Sequence, residues 1–396
     1  METVVQKYGG SSLQDRERLE KVAEKILRPL REGKKVLTVV SAMGKTTQQL
    51  IDLSRSVTNH PPPRELDMLL TTGEQVSASL LCMVLAEKGV KCRSLNAFQA
   101  GIITDNVHNR ARIKTIDNER LLRWITEYEV LVITGFQGIT DQGDLTTLGR
   151  GGSDTTAVAL AASLGSSCEI YSDVPGVFTV DPKRYPSARK LTHISYDEML
   201  EMARTGSKVL HDRSVEIAKK FKVPLTCASS FSEEEGSRVI EDIDLENSSP
   251  VTGLSILDHQ WLVKVTTQSA SAIQDIRLLF ERMDLNIDMI ALFQNKGEFI
   301  VSFTVWEEDW EKAGEKLNAI QGSLNMASMN IENQYSKITL VGSHMRTSVG
   351  VASTIFSVIP PDRVFLITTS EISISLLVRT EESHEMIHAL AKEFDL

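Results

Sequence analysis

The densest concentration of usable chemistry lies in Thr146-Thr147-Leu148-Gly149-Arg150-Gly151-Gly152-Ser153-Asp154-Thr155-Thr156-Ala157, where three glycines surround an arginine and an aspartate follows closely. Arginine holds a carboxylate through two parallel hydrogen bonds, and glycine amides at a helix start favour negative charge. A helix is expected over residues 154–164 with Asp154 as its N-cap. Asp154 is then an anionic partner for a metal, a lysine or a substrate ammonium. Near the start of the chain, Lys7-Tyr8-Gly9-Gly10-Ser11-Ser12 closes a strand with two glycines. Glycines there let backbone amides approach an anion, and Lys7 adds a cation at the same point.

A second loop, Ser41-Ala42-Met43-Gly44-Lys45-Thr46-Thr47, ends like a phosphate-binding P-loop. That motif needs a glycine five residues before Gly44, and Val39 stands there, so the P-loop reading fails. Ser41, Thr46 and Thr47 remain a hydroxyl-rich loop after a strand, where ligands of open α/β sheets sit. In Ser172-Asp173-Val174-Pro175-Gly176-Val177-Phe178-Thr179-Val180-Asp181-Pro182-Lys183 a strand ends in Ser-Asp and a Pro-Gly turn redirects the chain. Phe178 is suited either to stacking on a base or to a core. Lys208, after Gly206-Ser207, is a further candidate phosphate cation or a solvated lysine.

These loops need strands and helices to aim them. Strands are expected at residues 4–7, 36–40, 130–134 and 169–172, several apolar throughout, as in a parallel sheet covered on both faces. Helices are expected at 16–31, 72–87, 154–164 and 196–204, and their alternation with strands indicates an α/β domain over residues 1–230. The acidic, Ser-rich stretch 231–250 reads as a linker. Beyond it, residues 251–325 and 326–396 each read βαββα, with matching elements about 72–75 residues apart. Paired α+β ferredoxin-like modules are the expectation, packed together because each alone exposes a sheet face and an edge.

Composition narrows the function. The 396 residues carry a net charge of −10, with no basic tail, which argues against nucleic acid as partner. Cys82, Cys92, Cys168 and Cys227 are scattered, against both a disulfide framework and a cysteine metal site. No apolar run approaches the roughly 20 residues of a membrane helix. The N-terminus reads as a strand rather than a signal peptide, so no membrane and a cytoplasmic address are expected.

Taken in register, these segments resemble the aspartate kinase family of the amino-acid kinase superfamily. The resemblance rests on Lys7-Tyr8-Gly9-Gly10-Ser11-Ser12, Val40-Ser41-Ala42-Met43-Gly44, Leu70-Thr71-Thr72-Gly73-Glu74, Gly135-Phe136-Gln137-Gly138, the glycine loop, Ser172-Asp173-Val174-Pro175-Gly176-Val177 and Lys208-Val209-Leu210-His211. It implies a three-layer α/β/α sandwich with a mostly parallel sheet, followed by two ACT modules used for feedback control. It implies ATP with Mg²⁺ as cofactors, L-aspartate as substrate, and 4-phospho-L-aspartate, the first intermediate toward lysine, threonine and methionine, as product. Lys7 and Asp154 would be catalytic. Ser41, Thr46, Thr47, Glu74, Phe136, Arg150, Gly151 and Ser153 would hold aspartate, Glu74 at its ammonium and Arg150 at its α-carboxylate. Lys7, Tyr8, Gly9, Gly10, Ser172, Asp173, Phe178, Asp181, Lys183 and Lys208 would surround the nucleotide. An effector, lysine or threonine, would meet Asn286, Ile287, Asp288, Thr369, Ser370 and Glu371, and a homodimer or larger homo-oligomer would form through the ACT modules. The acceptor carboxylate is already ionised at pH 7, so neither a nucleophilic side chain nor a general base is required. Ser269-Ala270-Ser271-Ala272 and Val349-Gly350 depart from the family's usual Pro-Gly effector turns. A kinase for another carboxylate such as glutamate, or a catalytically inactive amino-acid sensor, are the competing readings.

Overall fold

A computed structural model of the chain describes residues 2–241, 249–267, 287–295, 297–307, 309–310, 328–343, 345 and 350–396. It divides into two compact units, Met1–Val177 with Lys190–Arg204 and Lys208–Asp244, and Phe178–Arg189 with Thr205–Ser207 and Leu245–Leu396.

The first unit runs β1 (Thr3–Tyr8), α1 (Arg16–Arg31), β2 (Lys35–Val40), α2 (Thr46–Val57), α3 (Pro63–Leu70), α4 (Thr72–Glu87), β3 (Cys92–Leu95), α5 (Ala97–Ala100), β4 (Ile102–Thr104) and β5 (Ile113–Ile116). It continues with α6 (Asn118–Glu127), β6 (Val130–Thr134), β7 (Gln137–Ile139), β8 (Leu145–Thr147), α7 (Gly152–Leu164), β9 (Ser167–Ser172), β10 (His193–Ser195), α8 (Tyr196–Arg204), α9 (Asp212–Phe221), β11 (Leu225–Ser229) and β12 (Ser237–Ile240). The main sheet has the order β10-β12-β11-β9-β1-β2-β6-β3, parallel from β11 through β3, with β12 antiparallel to β11. β12 lies within the stretch expected to be a linker; it is instead a strand between β10 and β11, with Arg238 and Val239 paired on both sides. A small second sheet, β5-β4-β7-β8, had no counterpart in the sequence expectations.

Alternation along β1 decides what faces what. Val4 and Tyr8 enter a core with Val36, Val40, Val130 and Val132, covered by Leu19, Val22 and Ile26 of α1 and Ala78, Leu81 and Leu85 of α4. Lys7 points to the opposite face, where α7 lies. Together α3 and α4, Pro63–Glu87, are long and apolar enough by composition to cross a membrane, a run the sequence reading passed over. Here Ala78, Leu81 and Leu85 of α4 face the sheet core, while Val76 and Met83 are exposed.

The second unit builds one antiparallel six-stranded sheet from β13 (Gly253–Thr267), β14 (Ile287–Asn295), β15 (Glu298–Trp306), β16 (Ser328–Val341), β17 (Leu366–Thr369) and β18 (Ser373–Arg379). Its order, β14-β15-β13-β16-β18-β17, sets β13 beside β16 and puts each module's hairpin outside. Helices α10 (Val351–Val358) and α11 (Thr380–Glu393) cover the second module, with Ile355, Ile387 and Leu390 packed on Ile338, Leu340 and Leu376. The two helices of the βαββα pattern expected over residues 251–325, read at 272–283 and 309–320, and Ser269-Ala270-Ser271-Ala272 fall outside the described residues, apart from Asp309 and Trp310.

Candidate active site

Loops after β1, β2, β6 and β9 meet at the carboxyl end of the main sheet. Ser41 N–H donates to Tyr8 O (3.1 Å), Gly44 N–H to Gly10 O (2.9 Å), Gly135 N–H to Val40 O (2.9 Å) and Gly9 N–H to Tyr171 O (3.4 Å). The β1 and β2 loops are so close that a Cβ on Gly10 would lie 2.5 Å from Ala42 O.

Lys7 Nζ lies 2.7 Å from Asp154 Oδ1, both side chains only 12% exposed. Asp154 is not the cap of α7: the helix starts at Gly152, its cap is Gly151 in the left-handed region (φ 66°), and no side chain caps it. Asp154 therefore sits inside the first turn with its carboxylate aimed at β1. Gly151 leaves no choice of residue, because a Cβ there would meet the His211 ring 2.1 Å away. Asp212 is likewise the first residue of α9, whose cap is His211.

The proposed aspartate residues converge here. Ser41 Oγ donates to Ser153 Oγ (2.9 Å). Phe136, itself left-handed (φ 68°), takes Thr156 Oγ1 on its N–H (3.2 Å), and its ring edge closes on Gly152. Thr46 spends its hydroxyl on Met43 O (2.7 Å), which starts α2, and Thr47 follows it half-buried. Arg150 is exposed, one residue before Gly151. Glu74 is 3% exposed; Ala42 N–H donates to its Oε1 (3.1 Å), while its Oε2 has no hydrogen-bond partner among the described residues. Burial pushes its pKa up to about 7, offset in part by backbone N–H groups and the Gln137 side chain. Gln137 gives its Nε2–H to Thr71 O (2.8 Å), and its Oε1 is also buried without a donor.

Not every expected nucleotide residue fits. Tyr8 is fully buried, stacked on Tyr171 at 4.9 Å and bonded to Gln6 Oε1, so its side chain is core rather than ligand surface. Ser172 accepts Val174 N–H (3.3 Å), and Asp173 and Lys208 are exposed on the first unit. Phe178, Asp181 and Lys183 belong to the second unit, where Asp181 Oδ1 accepts Lys183 N–H (2.9 Å) as the expected turn. Among the effector residues, Asn286 is outside the described residues. Asp288 is held by Lys337 Nζ (2.6 and 2.5 Å), and Ser370 forms the β17–β18 turn with Ser373 (2.8 Å). Thr369 and Glu371 flank that turn exposed, and Ile287 begins β14. Sequence reasoning missed Asp67, Thr147 and Arg213, which surround the glycine loop; a lone aspartate inside the apolar run Leu66–Leu70 was the available signal.

Known proteins resemble this chain along its length. The amino acid kinase family model matches residues 2–229, and an ACT domain model matches residues 338–394. The aspartokinase of Geobacillus stearothermophilus is 42% identical over 404 aligned positions, covering 100% of this chain and 98% of that protein. Aspartokinase 2 of Bacillus subtilis is 40% identical with the same coverage. Among solved structures, E. coli aspartokinase III in complex with aspartate and ADP superposes with TM-score 0.83 at 23% identity, each chain wholly covered, which speaks for the fold. Aspartate kinase from Synechocystis is 35% identical with TM-score 0.56, over 99% of this chain and 69% of that one. With both catalytic and regulatory regions matched along its full length, this chain belongs to the aspartokinase family, within the amino acid kinases.

Proposed function

We propose that the chain transfers the γ-phosphoryl group of ATP to the side-chain carboxylate of L-aspartate, giving 4-phospho-L-aspartate. The observation carrying this reading is the Lys7–Asp154 pair at the head of α7, four residues from Arg150 and beside the Ser41–Ser153 contact. Lys7, the Gly9-Gly10 amides and the N-terminus of α7 stabilise the migrating phosphoryl charge. Arg150 takes the α-carboxylate of aspartate and Glu74 its ammonium, which aims the side-chain carboxylate in line. No proton has to leave the acceptor, so positioning and charge carry the rate. The exposed Asp173, just after β9, would offer an oxygen to Mg²⁺ bound with the ATP phosphates, which would supply positive charge to them.

The ACT region points to feedback regulation. E. coli aspartokinase III is known in complex with lysine and aspartate, and lysine or threonine is the effector proposed here. Exposed Ile290, Leu292 and Phe293 on the edge strand β14 support a homo-oligomer. Release of ADP, measured with aspartate, glutamate and other amino acids in turn, with and without lysine and threonine, tests the whole reading. Aspartate-dependent release is expected; release with glutamate alone overturns the substrate, and release blind to both effectors overturns the regulation.

A further inference from the structure

We infer that Asp67, on α3 and outside the aspartate-contacting set, is a positioning residue that fixes the Arg150 loop for substrate. The inference rests on the reading of Arg150 given above. The Asp67 side chain is 0% exposed. Such burial is costly unless every oxygen is dressed by donors. Oδ1 accepts Thr147 Oγ1–H (2.6 Å) and Asn109 N–H (3.2 Å); Oδ2 faces His108 Nδ1 (2.7 Å) and the same Asn109 N–H (3.1 Å).

Those donors come from two places that matter. Thr147 ends β8, three residues before Arg150, and its carbonyl accepts Ala111 N–H (2.9 Å). His108 and Asn109 belong to the loop between β4 and β5, where Asn109 takes a left-handed conformation (φ 67°). From the other side, Arg213 of α9 donates to Leu148 O (2.5 Å) and Ala111 O (3.1 Å). Residues 147–148 are thus pinned to one carboxylate and one guanidinium, and Gly151 rests on His211. Arg150 lies between these anchors. Neither Asp67 nor Arg213 belongs to the set proposed to touch aspartate or ATP; they hold the backbone that does.

Asp67→Asn turns one acceptor into a donor facing donors, so the loop must shift. A misplacement of about 1 Å costs on the order of 100-fold in a positioned reaction. The expected result is a KM for aspartate raised about tenfold or more, with the KM for MgATP within about twofold. Thr147→Val, which removes one donor at constant shape, is expected to move the KM for aspartate in the same direction, and Thr147→Ser to restore it. These variants keep the test open should Asp67→Asn fail to fold. Arg150→Ala is measured alongside. If Arg150→Ala leaves the KM for aspartate unchanged, the reading of Arg150 falls and this inference with it. If Arg150→Ala raises it while Asp67→Asn and Thr147→Val do not, the inference alone falls. Equal increases in both KM values with a lowered melting temperature also overturn it, since that marks general loosening.

Discussion

Glu74 gives a prediction whose size follows from its surroundings. Its carboxyl is 3% exposed, one oxygen has a backbone donor, the other has none, and its pKa is pushed up to about 7 from 4.5. Each pKa unit corresponds to about 1.4 kcal/mol, so ionising Glu74 in the folded protein costs about 3 kcal/mol more than in the unfolded chain. A carboxyl raised in the folded state favours folding most below its unfolded pKa. That contribution is lost as pH rises from about 4.5 through 7, and it is absent above. Replacement by Gln keeps the shape and cannot ionise. Because part of that contribution is already lost at pH 5, Glu74→Gln is expected to be more stable than the parent at pH 8 by about 2.5 kcal/mol relative to the difference at pH 5. Chemical denaturation at the two pH values measures this. Kinetics should move the other way. An aspartate ammonium needs the ionised form, so the KM for aspartate is expected to rise about tenfold per pH unit below 7 in the parent. In Glu74→Gln it should be high and flat. A stability difference that ignores pH, or a parent KM that stays level from pH 5.5 to 8, would refute the reasoning.

Lys7→Ala removes the cation nearest the phosphate path and leaves Asp154 buried; turnover is expected to fall by at least about 1000-fold with the chain still folded, read by ADP release and circular dichroism. Gly151→Ala places a Cβ against the His211 ring in a left-handed conformation, so kcat/KM for aspartate should drop by roughly 100-fold. In the second unit, Lys337 is 4% exposed and Asp288 33% exposed, so the two partners are unequal. Asp288→Asn strands the more buried charge and should destabilise this unit by about 3 kcal/mol, whereas Lys337→Met should cost less; equal losses on denaturation would contradict the assignment.

Much of the catalytic unit was readable because its signals are long. The amphipathic stretch of α1, opened by Asp15 accepting Arg18 N–H, matches its expected limits, and so do α4 and α8. The small sheet escaped because strands of three or four residues such as β4, β7 and β8 are too short to show a period of two. β12 hid in the same way inside a Ser- and Glu-rich stretch. Tyr8 was misread through its neighbours: proximity to Lys7 in sequence puts it on the opposite face of a strand. Asp154 was misread as a cap because glycine at a cap carries no side-chain signal at all.

That glycine cap bears on the chemistry. A serine or aspartate at position 151 would spend its side chain on the first-turn amides of α7, and Asp154 already neutralises the Lys7 charge at 2.7 Å. The lysine alone would then bring little net positive charge to a phosphoryl group. With Gly151 as cap, no side chain competes for the start of α7, and the dipole of the 13-residue helix faces the place where Lys7 is held. Asp154 fixes the ammonium rather than taking a proton, because the acceptor carboxylate has none to give. On the proposed reading the anion-stabilising field comes from the pair and the helix end together, so a carboxylate stands beside the lysine without cancelling it.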